Sequence, residues 1–253
     1  MDQHLINKPK KLHTIDKIFV ICNKEKEKDR YDKWHSWVSQ REDVEFFSYK
    51  WADELSEADI NFWLVRNPEI EQREGKFRTF PINNAELSCS LNWIYLLKKI
   101  VACNLERVLI FESDAYFDEY FEDDFNRAIK LISAVPKDLL DIVSINKGSG
   151  PRASLGNGIY VSGLFKVKEV RALEGVIITR NGALKILDYI NKNKLTMVFD
   201  IELKYAIEQD LVNMYWLEPP IVGQTSAEGL SESFLNQGQF HLLNNKAYGS
   251  DDL

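Results

Sequence analysis

Long apolar runs are missing from this 253-residue chain. Nothing in it approaches the roughly 18–20 consecutive apolar residues that a membrane-spanning helix needs. The opening residues, MDQHLINKPKKLHT, lack the apolar centre of a signal peptide. The expectation is a soluble, cytoplasmic protein. Cysteine is scarce: Cys22, Cys89 and Cys103 are odd in number and widely spaced, and no C-x-x-C pair occurs. That argues against a disulfide scaffold or a structural zinc site and suits a reducing compartment. Positive charge is in deficit, with 32 Lys and Arg against 39 Asp and Glu, a formal charge of −7 and a pI near 5.3. A dedicated nucleic-acid binder usually carries a net basic surface, so no nucleic-acid partner is expected. Neither Gly-x-x-x-x-Gly-Lys nor Gly-x-Gly-x-x-Gly is present, so the two best-known phosphate loops are absent.

What is present is an ordinary globular composition, 45% hydrophobic and 28% charged, enough for one sizeable core. Apolar patterning alternates between strand and helix. DKIFVICN (Asp16 to Asn23) reads as a buried strand. In KEKEKDRYDKWHSWV, Tyr31, Trp34 and Trp37 recur at helical spacing, and VEFFSYK reads as a second strand. This βαβ opening predicts an α/β domain with a parallel sheet. Residues 51–83 are expected to form helical turns and a surface loop. Asn84 to Asn104 predicts a strong helix, with Leu87, Leu91, Ile94 and Leu97 on its apolar face. RVLIFES is a strand of the buried type. A helix from DDFNRAIKLISA ends at Pro136. LDIVSIN, one or two strands within GLFKVKEVRALEGVIITR, helices in NGALKILDYINKN and MVFDIELKYAIEQ, and a last strand in NMYWLEPPIVGQT complete the pattern. Residues 1–14 read as a loose arm and residues 229–253 as a polar tail.

One stretch joins this pattern to chemistry. Val108 to Phe111 run straight into Glu112 and Asp114, and more acids follow at Asp118, Glu119, Glu122, Asp123 and Asp124. Ligands in open α/β sheets bind beyond the carboxyl ends of the strands. Two carboxylates one residue apart project to the same side of an extended chain and offer oxygens to a hard divalent cation. The plainer reading is a set of loop acids, with Asp123 or Asp124 capping the next helix. Residues alone leave both open. The loop NKGSGPRASLGNG, with Lys147, Arg152 and its glycines, either closes over a phosphate or sugar or simply connects two elements. Trp51, Trp63, Trp93 and Trp216 are candidates for stacking on sugar rings or for the core.

Several segments, taken in order, resemble glycosyltransferase family 25, the lipooligosaccharide and procollagen galactosyltransferase group. NNAELSCSLNWIYLLKKIVACNLERVLIFESDAYF is similar to its central block, with Glu86, Cys89 and the helix in position and Glu112-Ser113-Asp114 where the family has an acidic triplet. IFVICNKEKEKDRYDKW resembles its opening strand, with Asp29 and Arg30 in place. EGVIITRNGALKILDYI, FDIEL and EPPIVGQTSAEGLSES resemble later blocks, placing Asp200, Pro220, Gln224 and Ser226. The likeness spans residues 16–233. Two departures stand out: the triplet's middle acid is Ser113, and the family's Ser-His after the cysteine is absent.

The resemblance implies one domain over residues 1–253 of the GT-A type, a Rossmann-like, mostly parallel sheet flanked by helices. It implies transfer of a hexose from a nucleoside diphosphate sugar, UDP-linked, to a glycan or glycoconjugate, metal-dependent and inverting, in lipopolysaccharide biosynthesis. Val20, Cys22 and Asn23 would lie beside the nucleotide, with Arg30 and Lys147 as phosphate contacts. Glu112, Ser113 and Asp114 would face the donor. Mn²⁺ or Mg²⁺ would be held by Asp114 and Glu112, with His241 as a late further ligand. Asp200 is the candidate general base, and Glu202 stands second; Asp200 as a plain helix cap is the alternative. A degenerate transferase serving as a glycan-binding or scaffold module, or a nucleotidyl or phosphoryl transferase using the same acids, are the rival readings.

Overall fold

The computed structural model describes residues 14–74, 82–148, 162–170 and 172–225. The N-terminal arm with His4 and His13, the loop around Arg152, and the tail with Ser226 and His241 lie outside the described residues. The first half runs β1 (Lys17–Ile21), α1 (Lys28–Val38), β2 (Val44–Phe47), α2 (Glu57–Trp63), α3 (Pro68–Glu74), α4 (Asn84–Ala102) and β3 (Arg107–Glu112). There follow β4 (Ala115–Tyr116), α5 (Phe121–Ala134), β5 (Ile142–Ser144), β6 (Gly163–Val167), β7 (Gly175–Thr179), α6 (Arg180–Asn193), α7 (Phe199–Glu208), β8 (Met214–Glu218) and β9 (Gly223–Gln224).

Seven strands form one sheet in the order β2-β1-β3-β7-β5-β8-β6, and β4 pairs with β9 in a separate ribbon. β1 is parallel to β2 and β3, and β5 is parallel to β8. β7 is antiparallel to both β3 and β5, and β6 to β8. Five strands therefore share one direction, and the expected mostly parallel α/β sheet is what the chain builds.

Strand alternation divides the core between two helix layers. Phe19, Val108, Ile110, Val176 and Ile178 join α4, α6 and α7 on one face. Ile18, Val20, Leu109, Phe111 and Ile177 join α1 and α5 on the other. In α4, Leu87, Leu91, Ile94 and Leu97 have no exposed surface; each buried side chain contributes roughly 1.5–3 kcal/mol. A reciprocal cap starts this helix: Asn83 Oδ1 accepts from the Glu86 N–H at 3.0 Å, and a Glu86 carboxylate oxygen accepts from the Asn83 N–H at 2.9 Å. The buried stripe sets the helix's rotation against the sheet, and Ser88, Cys89, Asn92 and Trp93 come to line the clefts described below.

Another anchor sits where α6 meets β5. Asp141 is fully buried, and its carboxylate accepts from Lys185 Nζ at 2.6 Å and from the Asn213 N–H at 2.8 Å. Gly182 lies so close that a Cβ there would stand 2.5 Å from the Asp141 carbonyl oxygen. The Gly-Ala-x-Lys pattern of this helix thus joins α6 to β5 and β8.

Three local expectations give way. The chain is not extended through the acids: Ser113 and Asp114 form a turn between β3 and β4. α5 begins at Phe121, with Tyr120 at its N-cap, so Asp123 and Asp124 lie inside its first turn. There they face the helix's positive end without capping it. α7 begins at Phe199 with Val198 at its N-cap and no side-chain cap, so Asp200 is a first-turn residue and not the cap.

Candidate active site

The carboxyl ends of β1, β3, β5 and β8 open on one edge of the sheet, and two clefts lie there. The larger, about 240 Å³, is bounded by the chain after β1, the segment after β2, the start of α4 and the turn Glu112–Asp114. The smaller, about 150 Å³, lies among α4, α7 and the approach to β7. Cys89, Glu112 and Gln224 line both. The clefts therefore meet at the end of β3.

Polar contacts fix the walls of the larger cleft. After β1, Asn23 folds the chain: its Oδ1 accepts from the N–H groups of Glu25 and Lys26, each at 3.0 Å. Its own N–H donates to Glu27 at 2.8 Å. That turn swings Glu27 inward, where only 7% of it stays exposed. Ser113 donates its hydroxyl proton to Glu27 Oε1 at 2.5 Å, and Arg30 donates to Ser113 Oγ at 2.9 Å and reaches Glu27 at 3.4 Å. Ser113 is thus the hinge of a buried Glu27–Ser113–Arg30 group, and Trp34 Nε1 donates to its carbonyl at 2.9 Å. On the opposite wall, Ser88 Oγ donates to the Lys50 carbonyl at 2.7 Å and the Tyr49 N–H donates to Asn92 Oδ1 at 2.7 Å. These bonds hold Ser48 and Trp51 against α4 at the cleft.

The floor is acidic. Trp93 Nε1 donates to Glu112 Oε1 at 2.9 Å. Gln224 Nε2 donates to Asp114 Oδ2 at 3.3 Å, while Thr225 donates N–H and hydroxyl to the Asp114 carbonyl at 3.0 and 3.1 Å. Burial, then the charges of Asp114 and Glu174, push the Glu112 carboxyl well above the usual range, against the opposing pull of the Trp93 bond. Burial also raises Glu174 to about 7, with Asp114 and Asp200 adding repulsion. Burial followed by the Glu27 charge lifts the Cys22 thiol to about 12, and Cys89 rises too, by burial and the Glu112 charge. Both thiols are poor nucleophiles at neutral pH.

The residues expected from the sequence separate into groups. Cys22, Asn23, Arg30, Glu112, Ser113 and Asp114 all line the larger cleft, and Asp200 lines the smaller one. Val20 is fully buried in the core beneath. Lys147 lies on exposed chain after β5, where its N–H donates to the Val222 carbonyl at 2.8 Å. Glu202 is buried in another network. Its carboxylate accepts from Thr196 N–H and Oγ1, from the Met197 N–H and, at 3.3 Å, from the Tyr189 hydroxyl. It closes the turn that enters α7.

Sequence reasoning passed over Glu27, Asn92 and Glu174. Glu27 is hidden in NKEKEKDR, which reads as a solvated charge run; only its spacing of four from Asn23 hints at the inward turn. Glu174 is a single acid ahead of an apolar strand and gives no pattern. Among the described residues no three His, Cys, Asp or Glu side chains converge as a metal cage. Glu112 and Asp114 remain a two-carboxylate edge, the donor set with which Mg²⁺ sits when phosphates and waters complete its shell.

Comparison with curated proteins finds no match. A family model described as glycosyltransferase family 25 (LPS biosynthesis protein) matches residues 15–148, just over half the chain, from the start of β1 past the end of β5. That stretch carries every wall of the larger cleft except Gln224. On this match, the chain belongs to glycosyltransferase family 25 and is a glycosyltransferase.

Proposed function

We propose that the chain transfers a hexose from a UDP-linked sugar to a hydroxyl of a glycan or glycoconjugate acceptor in lipopolysaccharide assembly, with inversion at the anomeric carbon. The observation that carries this reading is the pair of clefts that meet at Glu112, since a transfer reaction needs two substrates placed end to end. The larger cleft takes the nucleotide, with the base lying against Trp51 in its lining. The diphosphate lies toward Arg30 and the Glu112–Asp114 turn. Glu112 and Asp114 would hold Mn²⁺ or Mg²⁺, which when bound would neutralise the leaving diphosphate.

The acceptor enters from the smaller cleft. Asp200 takes the proton of the attacking hydroxyl as its oxygen bonds to the anomeric carbon, while the carbon–oxygen bond to UDP breaks with its electron pair leaving on the diphosphate. Glu202 does not share this role in our reading, because its carboxylate is committed to Thr196, Met197 and Tyr189. No helix among the described residues is long and apolar enough to cross a membrane. The three cysteines are free thiols, as suits a reducing compartment, and the reading places the reaction in the cytoplasm.

A thermal-shift screen of nucleotide sugars with Mn²⁺ tests the reading, because a ligand that favours the folded state raises the unfolding midpoint. UDP-hexoses should raise it and guanosine- or cytidine-linked sugars should not. A screen in which no UDP-sugar moves the midpoint removes the proposed donor.

A further inference from the structure

Ser113 is a hydroxyl between two acids, and a charged pair reaches it from much earlier in the chain. Its Oγ donates to Glu27 Oε1 at 2.5 Å and accepts from Arg30 Nη1 at 2.9 Å. A hydroxyl can do both at once, whereas a carboxylate only accepts. An aspartate at 113 would set its oxygens against those of Glu27, two like charges in contact at a site where Glu27 is buried. Positions 27 and 113 can therefore hold one negative charge between them, and here Glu27 carries it. The acidic triplet that Glu112-Ser113-Asp114 resembles is thus completed in charge by a residue from the loop after β1. That carboxylate also makes contacts of its own. Oε2 accepts from the Asn23 N–H at 2.8 Å, and Oε1 lies 3.4 Å from Arg30 Nη1. It ties the loop after β1 to the turn between β3 and β4, whose Ser113 carbonyl also accepts from Trp34 of α1. Glu27, Arg30, Ser113 and Asp114 all line the larger cleft.

We propose that Glu27 is a positioning residue of the donor site: its carboxylate supplies the negative charge absent at 113, holds the Arg30 guanidinium toward the diphosphate and fixes the turn that presents Asp114. This role rests on the reading of the larger cleft as the nucleotide-sugar site. Glu27 acts through Arg30 and Ser113 and not on the substrate itself. Because the acid at 27 and the hydroxyl at 113 form one unit, each constrains the other. Moving the charge from 27 to 113 should be tolerated, whereas doubling it or removing it should not.

The test uses the full chain with Mn²⁺. Calorimetry reads UDP binding, and saturation-transfer NMR reads uridine, which has the base and ribose without the phosphates. Glu27→Gln should weaken UDP by about tenfold or more, the loss expected for one hydrogen bond to a charged group. Uridine affinity should stay within about twofold on the same scale. Ser113→Asp alone should weaken UDP by a similar factor. In the double variant Glu27→Gln/Ser113→Asp one negative charge again faces Arg30, and UDP affinity should return to within about threefold of wild type. Wild-type UDP affinity in Glu27→Gln, or a double variant no better than either single one, overturns the role and leaves the donor reading intact. Equal losses of UDP and uridine also overturn it, because they report a collapsed loop and not a misplaced Arg30. Absence of UDP binding in the wild type overturns the donor reading, and the role of Glu27 falls with it. If Glu27→Gln does not fold, Ser113→Ala cuts the hydroxyl bridge with both charges kept and should weaken UDP in its place; unchanged UDP affinity there overturns the role.

Discussion

Replacing Glu174 by Gln should change how stability depends on pH, by an amount the site itself sets. Glu174 is raised from 4.5 to about 7 in the folded protein, by burial first and then by Asp114 and Asp200. Between those two values the folded state keeps a proton that the unfolded chain releases. Stability therefore falls as pH rises from about 4.5 to about 7 and levels off above, where both states are ionised. At 1.36 kcal/mol per pH unit, the wild type loses roughly 3 kcal/mol from this group alone across that window. Gln can still accept the Asn146 bond, and it cannot ionise. The difference in unfolding free energy between Glu174→Gln and wild type should thus swing by roughly 3 kcal/mol in favour of the variant from pH 4.5 to pH 7.5. Urea unfolding followed by tryptophan fluorescence measures it. The protein must be dilute, because its pI of 5.3 falls within the window, and divalent ions must be chelated. Glu112 is shifted in the same direction, in part by the Glu174 charge, so the difference reads Glu174 together with its repulsion of Glu112. Parallel profiles would refute the buried, repelled carboxyl.

Other outcomes follow from the same geometry. Asp200→Asn should lower kcat by about 10²–10⁴-fold, the usual worth of a general base, with UDP affinity retained; full activity in a transfer assay removes Asp200 from the role. Gly182→Ala drives a Cβ against the Asp141 carbonyl. Overpacking of this kind costs about 1–3 kcal/mol, offset by up to about 1 kcal/mol from alanine's better helix preference. A net loss should appear as a lower unfolding midpoint, and an unchanged or raised midpoint would show that α6 moves aside freely.

Much of this fold was legible in the sequence because burial and period were locally visible. Lys17–Ile21 and Arg107–Glu112 are short apolar runs, and Asn84–Ala102 repeats apolar residues at helical spacing. Their partners follow from the βαβ rule. The reversal of β7 was not legible: Val176, Ile177 and Ile178 are apolar whichever way the strand runs, and only its pairing between β3 and β5 sets its direction. The site divides in the same way. Glu112 and Asp114 were visible because they interrupt an apolar strand end. Ser113 looked like a loss of charge, yet it closes a group around Glu27, whose carboxylate comes from 86 residues earlier in the chain. No local pattern reports a contact of that range. Glu174 was silent for a related reason: the groups that make it unusual are Asn146, Asp114 and Asp200, all distant in sequence.

Titration calorimetry of UDP into wild type and Asp114→Asn, with and without Mn²⁺, separates a metal-bridged UDP site from a metal-free one. UDP should bind the wild type with Mn²⁺, bind much more weakly without it, and lose the Mn²⁺-dependent part in Asp114→Asn. UDP binding that ignores both the cation and the substitution, or no UDP binding at all, would contradict the metal-bridged site.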